Sequence, residues 1–152
     1  MPVQVAQGLC VHKTRRYRTR SCCWNQPFML VVHHSGTSGG TPQGFARYHV
    51  KVHGWPGIGY HYVITRDGTI WKTNPIGNIS YHCGRGNRWG IGICVVGMNA
   101  FTIAQQISLD ALLDMLEEAY PLAKVIAHHD VPGCKTDCPG NYLSGIILTR
   151  GH

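Results

Sequence analysis

The sequence predicts an α/β fold: a single domain with a central mixed β-sheet flanked by helices. Short, continuous runs of apolar residues are typical of buried strands, and they alternate along the chain with segments of helical periodicity. The 19 glycines and eight prolines indicate many turns between these elements. With 152 residues, 43% of them hydrophobic, the chain can bury one core and has the usual size of one domain.

The first half of the predicted domain begins with a buried strand over 28–33, which is apolar and rich in β-branched residues. Thr41 and Pro42 form an N-cap and a proline at the first helical position, so they predict a helix that runs to about His53. The Gly-Trp-Pro-Gly sequence over 54–57 is expected to end this helix.

A β-hairpin is predicted next, with a strand over 60–65, an Asp-Gly turn over 66–69 and a returning strand from Ile70. The segment 73–89 is rich in Gly and Asn and is predicted to be a long loop. Loops of this length in a compact domain are usually functional. The apolar run over 91–97 then predicts a central strand.

The second half of the domain is predicted to contain two helices and one strand. A helix is expected from Ser108, because large apolar residues recur after it at spacings of three and four. A strand is expected over 124–128 and a short final helix over about 139–147. The apolar face of the first of these helices consists of Leu109, Leu112, Leu113, Leu116 and Tyr120.

The charge of the chain is unevenly distributed. The net charge is +7, yet no Asp or Glu precedes Asp67. This pattern predicts a basic N-terminal extension over 1–27 and a folded domain over 28–152. Such an arm suits an anionic polymer or surface, such as nucleic acid, wall teichoic acid, lipopolysaccharide or anionic lipid, and a solvated tail is the simpler alternative. The basic cluster comprises Lys13, Arg15, Arg16, Arg18 and Arg20.

Two features of the sequence predict where in the cell the protein is found. The sequence has no apolar run of 18 or more residues, and the weakly apolar residues 2–12 are followed by basic residues rather than preceded by them, unlike a signal peptide. We therefore expect the protein to be made in the cytoplasm and to stay there until something releases it. A disulfide framework is not the default in that compartment, and seven cysteines is an odd number.

Two histidine pairs and one cysteine predict a metal centre. The pair His33-His34 ends one apolar strand, the pair His128-His129 ends another, and Cys138 follows ten residues after His128. The residues alone leave open which member of each pair is the ligand. Two imidazoles and one thiolate leave the fourth position of a zinc ion open, which is typical of catalytic zinc rather than structural zinc. The sequence therefore predicts metal-assisted hydrolysis.

Five motifs in a fixed order carry a resemblance to a known family. The chain resembles the type 2 N-acetylmuramoyl-L-alanine amidases, a family that includes phage lysozyme-like amidases and the peptidoglycan recognition proteins. The resemblance covers roughly residues 28–145. Its motifs are Val-His-His-Ser-Gly-Thr over 32–37, Gly-Trp-Pro-Gly-Ile-Gly-Tyr-His-Tyr over 54–62, Arg-Asp-Gly-Thr over 66–69, Trp-Gly-Ile-Gly-Ile-Cys-Val-Val-Gly over 89–97, and Ala-His-His-Asp-Val over 127–131 with Thr-Asp-Cys-Pro-Gly over 136–140.

The resemblance implies roles for individual residues. It makes 28–152 a zinc amidase domain that binds one Zn²⁺ per chain through His33, His128 and Cys138. It also implies two catalytic residues, Tyr60 and Thr136, whose hydroxyls would steady an oxyanion. Substrate contacts are expected from His34, Trp55, His82, Arg85 and Asn87, although each of the last four is also explained as loop scaffolding.

The family includes a branch that recycles wall fragments in the cytoplasm, from which this chain differs. That branch has a glutamate general base where this chain has Cys94, and an aspartate ligand where it has Cys138. These differences argue against the recycling role. They also leave the site without an evident carboxylate base.

The expected reaction is hydrolysis of the amide between N-acetylmuramic acid and L-alanine in bacterial peptidoglycan. The small size and the cationic extension resemble Thermus-phage endolysins, so we expect a monomeric lytic enzyme that reaches the wall after holin-type release. The arm would bind anionic wall or outer-membrane polymers and would need no nucleic acid.

Two alternative functions remain. One is a non-catalytic peptidoglycan receptor, a class that typically lacks the cysteine ligand. The other is a nucleic-acid-binding or polymerase-binding regulator, which the charge suggests. No helix-turn-helix, zinc-finger spacing or aromatic RNA-binding motif supports the regulator.

Overall fold

The computed structural model describes residues 2–6, 16–19 and 27–150. Two short 3₁₀ turns, over Gly84–Arg88 and His128–Asp130, accompany the strands and helices. The elements are β1 (Val3–Val5), β2 (Arg18–Thr19), β3 (Met29–His34), α1 (Pro42–His53), β4 (Tyr62–Ile64), β5 (Ile70–Lys72), β6 (Asn78–Ile79), β7 (Gly90–Val95), α2 (Ile103–Ala119), β8 (Lys124–Ala127) and α3 (Gly140–Thr149).

A mixed six-stranded sheet lies at the centre, with the strand order β1-β5-β4-β7-β3-β8. Strand β3 pairs in parallel with both β7 and β8, and β4 pairs in parallel with β7. The antiparallel pair is the β4–β5 hairpin, whose turn contains the predicted Asp-Gly sequence. The predicted mixed sheet is confirmed, and its parallel strands direct their carboxyl ends towards one edge.

The helices cover both faces of this sheet. Successive residues of a strand point to opposite faces, so Leu30 and Val32 lie on one side of β3, and Val31 and His33 on the other. The first side packs against the buried leucines of α2 and against Leu143 of α3. The second side carries two smaller apolar clusters, one of which includes Ala46 of α1. The domain therefore has three layers.

Helix α1 has the ends that the sequence predicts. The Thr41 hydroxyl accepts a hydrogen bond from the Gly44 amide at 3.1 Å, which satisfies one of the free N–H groups of the first turn. Gly54 ends the helix at φ 65°, a left-handed conformation that glycine adopts without strain.

Helix α2 begins earlier than predicted. The sequence pattern placed its start at Ser108, whereas the structure has Thr102 as the N-cap and Ile103 as the first helical residue. The Thr102 hydroxyl accepts from the Gln105 amide at 3.1 Å, and the Gln105 side chain accepts from the Thr102 amide at 3.0 Å. This capping box lies outside the leucine face, which is why apolar periodicity alone missed the first turn.

The described parts of the N-terminal 27 residues pair with the domain. Strand β1 pairs in parallel with β5 at the edge of the main sheet, and β2 pairs with β6 in a separate two-stranded sheet. The Tyr17 hydroxyl donates to the carbonyl oxygen of Ile58. Within the basic cluster, Lys13, Arg15 and Arg20 lie outside the described residues, so the boundary predicted at residue 27 stays a prediction.

None of the helices in the described ranges combines the length and the apolar character that crossing a lipid bilayer requires.

Thr102→Ala is expected to lower the free energy of unfolding by about 1 kcal/mol, because the first turn of α2 loses its side-chain acceptor. Urea denaturation followed by circular dichroism measures the change. Thr102→Ser is the matched control, since it keeps the hydroxyl and should stay close to the wild-type midpoint. An alanine variant that unfolds at the wild-type urea concentration would show that the capping box contributes nothing.

Candidate active site

Three potential metal ligands converge at the carboxyl ends of β3 and β8. His33 comes from β3, His128 follows β8 directly, and Cys138 lies on the loop before α3. One ligand atom from each lies within 4.8 Å of the others. The Cys138 Sγ is 3.8 Å from the Nδ1 of His33, and the two imidazole centroids are 4.3 Å apart. The structure therefore brings together all three residues predicted to hold zinc.

The donor set fits a metal ion chemically. The Nδ1 atom of His128 is buried and makes no hydrogen bond within the described part of the chain, as expected of an atom reserved for a metal. Burial, together with the neighbouring histidines, holds the pKa of His33 well below its ordinary value, and burial also lowers the pKa of His128. Both rings are therefore neutral at pH 7, the form that ligates zinc.

The thiol of Cys138 is also set up for a metal. Burial raises its pKa to about 11, and a hydrogen bond from the His34 amide at 3.4 Å partly offsets this effect. Without a cation the thiol therefore stays protonated at neutral pH. Zinc binding must displace that proton, so the affinity for zinc should rise with pH across the neutral range.

The second histidine of each pair lies outside the ligand cluster. The ring of His34 lies near Gly140, where a Cβ atom would sit 3.8 Å from the ring, and its Nδ1 atom is buried without a hydrogen bond among the described residues. His129 is half-buried and lies 3.6 Å from the Asp130 carboxylate. The geometry thus favours the first member of each pair as the ligand.

His82 contacts the cluster of predicted ligands through His33. Its Nδ1 atom is 3.0 Å from the Nε2 of His33, so a hydrogen bond orients the His33 ring and leaves Nδ1 directed towards Cys138. The His82 ring lies across β7, where a Cβ on Gly92 would approach it to 2.6 Å. This buried residue acts on the cluster through His33. The predicted substrate contact of His82 stays a prediction.

Tyr60 lies beside the cluster, just before β4. Its ring centroid is 5.4 Å from that of His33, and the residue packs against the small buried cluster that contains Cys94. Burial, with the adjacent thiols of Cys94 and Cys138, raises the pKa of Tyr60 well above its ordinary value. The phenol is therefore protonated and able to donate at neutral pH.

Thr136 lies on the loop that carries Cys138. Its hydroxyl oxygen accepts a hydrogen bond from the Cys138 amide at 3.2 Å, and the Cys138 carbonyl accepts one from the His129 amide at 2.9 Å. By accepting this bond, Thr136 helps to shape the loop of Cys138. The bond does not use the hydroxyl hydrogen of Thr136, and the predicted catalytic role of this residue stays a prediction.

The other predicted substrate contacts lie on one side of the cluster. A depression of about 360 Å³ is lined by Trp55, His82, Asn87 and the ligand His128. The Asn87 side-chain oxygen accepts from the amides of His82 and Cys83 at 2.8 and 2.7 Å, so Asn87 also holds the loop. Arg85 is exposed and lines an adjoining, larger cavity of about 880 Å³.

Sequence reasoning missed two residues that hold the site in place. Cys94 belongs to the apolar run over 91–97, which predicts only a central strand. It is fully buried, but it also pairs in register with His33 and contacts Tyr60. His49 of α1 accepts a hydrogen bond from the Gly59 amide at 3.0 Å and so fixes the chain next to Tyr60. Both contacts depend on strand register and helix packing, which single residues do not reveal.

Comparison with known proteins gives consistent matches. The family described as N-acetylmuramoyl-L-alanine amidase (Amidase_2) matches residues 24–141, a range that includes all three predicted ligands. The endolysin of Enterobacteria phage K11 is 34% identical over 107 residues, which cover 65% of this chain and 70% of the phage protein. Peptidoglycan-recognition protein SC1a of Drosophila melanogaster is 27% identical over 170 residues, covering 97% of this chain and 89% of that protein. Among solved structures, the Ph2119 endolysin from Thermus scotoductus MAT2119 bacteriophage Ph2119 has a TM-score of 0.78 at 31% identity and 89% coverage of each chain.

His82→Ala is expected to weaken zinc binding by about 10- to 100-fold, because the His33 ring loses the hydrogen bond that orients it. Competition with a chromogenic chelator measures the affinity. His53→Ala, an exposed histidine on α1, is the control and should bind zinc like the wild type. Equal zinc affinity in His82→Ala and wild type would show that His82 does not position the ligand.

Proposed function

The chain belongs to the N-acetylmuramoyl-L-alanine amidase family and is a peptidoglycan amidase, and from this premise we propose how it works. One zinc ion, held by His33, His128 and Cys138, serves the hydrolysis of the amide between the lactyl group of N-acetylmuramic acid and L-alanine. The observation that carries the proposal is the convergence of three ligand atoms within 4.8 Å beside a substrate-sized depression.

The zinc ion supplies a Lewis acid for the scissile carbonyl and a nucleophilic water at neutral pH. The protein orients the ligand groups of His33 and Cys138. His82 fixes the His33 ring, and the His34 amide donates to the Cys138 sulfur, which stabilises its thiolate. Two imidazoles and one thiolate would hold the ion and would leave room at it for substrate and water, as in catalytic zinc sites.

Tyr60 and Thr136 are proposed to stabilise the developing oxyanion. Both offer hydroxyl donors near the ligand cluster, and neither carries a charge. A donor held in place before the reaction is worth about 10²- to 10³-fold in kcat at such a site. Tyr60 packs against the buried cluster of Cys94 and Val96, so its ring is already held in position before the reaction.

The complete ligand set favours an enzyme over a binding-only receptor. A receptor of this family typically lacks the cysteine ligand, whereas Cys138 is present and faces His33. The matches to phage endolysins support a lytic role in particular. We propose that the protein is made in the cytoplasm of a phage-infected cell, acts as a monomer, and reaches the wall after the membrane is opened.

The first test is amine release from purified peptidoglycan. The wild type loaded with zinc is expected to release L-alanine amino groups without new reducing sugar ends, and Cys138→Ala is expected to lose both bound zinc and activity. Tyr60→Phe is expected to keep zinc and to lose about 10²-fold in kcat, because a hydroxyl donor is missing. New reducing ends, or full activity in Cys138→Ala, would contradict the proposed reaction.

The basic cluster near the N-terminus is proposed to bind anionic wall or outer-membrane polymers. Replacing its five Lys and Arg residues with Gln is preferable to deleting the segment, since β1 and Tyr17 pack on the domain. The Gln variant is expected to bind intact cells more weakly and to hydrolyse purified peptidoglycan at the wild-type rate. Binding of the wild type should also fall as salt rises, because exposed charges are screened. Equal losses in cell binding and in hydrolysis would contradict this role.

A further inference from the structure

Two cysteine side chains meet beside the cluster of predicted ligands. The Cys134 thiol donates a hydrogen bond to the carbonyl oxygen of Cys83 at 3.5 Å, so its sulfur lies next to the Cys83 backbone. Both side chains are present as thiols. They pack in one small apolar cluster with Val31 and Val131. Two loops that are 51 residues apart in the sequence are thus in contact through their cysteines.

Cys83 is connected to the ligand cluster through the residue before it. It directly follows His82, whose ring forms a hydrogen bond with the His33 ring at 3.0 Å. The side-chain oxygen of Asn87 accepts hydrogen bonds from the amides of both His82 and Cys83, so one side chain holds the two residues together. The position of Cys83 therefore bears on the position of His33.

Cys134 lies between two of the predicted ligands, His128 and Cys138. Its amide donates to the carbonyl oxygen of Val131 at 3.0 Å in a tight turn. The His129 amide donates to the Cys138 carbonyl at 2.9 Å, which closes the segment at its ends. A bond that fixes Cys134 would therefore fix the short segment that carries both ligands.

A reagent in solution can reach this pair of thiols. Both residues line the cavity of about 880 Å³ and the adjoining depression of about 360 Å³. Cys134 is half-buried and Cys83 is 2% exposed, so Cys134 is the thiol that a reagent meets first. The exposed guanidinium of Arg85 lines the larger cavity and attracts an anionic reagent.

The space around the Cys83 sulfur depends on a glycine. A Cβ atom on Gly86 would approach this sulfur to 2.7 Å and a methyl group of Val131 to 2.8 Å. To bond Cys134, the Cys83 side chain has to turn from Gly86 towards the neighbouring loop. This is a rotation about one bond, because the Cys134 sulfur already lies beside the Cys83 backbone.

We propose that Cys83 and Cys134 are a redox modification site, at which a small anionic disulfide such as oxidised glutathione joins the two sulfurs. The deprotonated Cys134 sulfur attacks one sulfur of the reagent, which forms a mixed disulfide and releases one glutathione thiolate. The deprotonated Cys83 sulfur then attacks the Cys134 sulfur and releases the second glutathione. Two protein thiols are oxidised, one reagent disulfide is reduced to two thiols, and the two thiol protons end on the released glutathione.

The disulfide strengthens a contact that is weak between the thiols. In the thiol state, one S–H···O hydrogen bond and apolar packing join the loops. The disulfide covalently links the residue beside His82 to the segment between His128 and Cys138, so it stabilises the fold and slows the loss of a metal ion from the cluster. The cytoplasm keeps thiols reduced, whereas the cell exterior allows the bond to form. Formation of the bond does not depend on the proposed reaction.

The bond itself is tested by peptide mapping. The full-length wild type, with zinc in excess to occupy Cys138, is equilibrated in buffers with a rising ratio of oxidised to reduced glutathione. Equilibration is long, because burial raises the pKa of Cys134 and slows its exchange. Mass spectrometry of alkylated, unreduced digests is expected to find the Cys83 and Cys134 peptides linked in the oxidising buffers. Two alkylated thiols in the most oxidising buffer, or Cys83 linked to another cysteine, would overturn the site.

Thermal unfolding tests the effect on the fold. Oxidised wild type is expected to have a Tm higher than reduced wild type by roughly 5–15 °C, because the bond closes a long loop of the unfolded chain. Cys134→Ser is expected to unfold at the same temperature in both buffers. Cys10→Ser, which removes a thiol outside the described residues, is the matched control and should keep the wild-type shift. The same Tm for both forms of the wild type would contradict the stabilising role.

Zinc release tests the link to the ligand cluster. Zinc-loaded protein is mixed with an excess of a chromogenic chelator, and the rate of colour formation is measured. Oxidised wild type is expected to release zinc more slowly than reduced wild type, and Cys134→Ser is expected to release it at one rate in both buffers. Equal rates for the two forms of the wild type would overturn the link. Because neither measurement uses peptidoglycan, a failure of amine release would reject the proposed reaction and leave this inference standing.

Discussion

The parallel pairing of β3 with both β7 and β8 is the constraint on which the rest of the site depends. It places the carboxyl ends of three strands side by side, so that His33, Cys94 and His128 meet although they are far apart in the sequence. Parallel strands with helices on both faces are buried, and their carboxyl ends form the usual crevice for ligands in open α/β sheets. His33 and Cys94 therefore lie on buried strands, the turn directly after β8 carries His128, and the loop before α3 carries Cys138.

The features that the sequence predicts well are local. Helix α1 follows from Thr41, Pro42 and Gly54, since cap residues act within a few positions of themselves. The three residues that converge in one cluster follow from short motifs, two at strand ends and one on the loop before α3. The start of α2 was wrong because its cap precedes the apolar face, and the supporting contacts of His82 and Cys94 could not be predicted. Those contacts arise from register between strands distant in sequence, and a one-residue slip would turn each side chain to the opposite face.

Glycine 92 shows how the sheet and the metal cluster depend on each other. A glycine in a central strand weakens it, yet this position leaves the space that the His82 ring fills above β7. His82 in turn fixes the direction of His33. The backbone of β7 thus positions the His82 ring, and the His82 ring positions the His33 ring. The same face of β7 contains Cys94, which packs with Tyr60, so residues of one strand support both the predicted ligand cluster and Tyr60.

Strand β1 has a consequence for how the protein behaves outside its native setting. It covers the N–H and C=O groups along β5, which would otherwise form an open strand edge. Uncovered edges recruit strands from other chains and promote aggregation. Removing the N-terminal residues would therefore expose the edge of β5 and favour self-association of the protein. A low yield of such a truncated protein would reflect this exposed edge and not a loss of catalysis. A fusion partner attached ahead of β1 needs a flexible linker for the same reason, so that the strand remains able to reach its place beside β5.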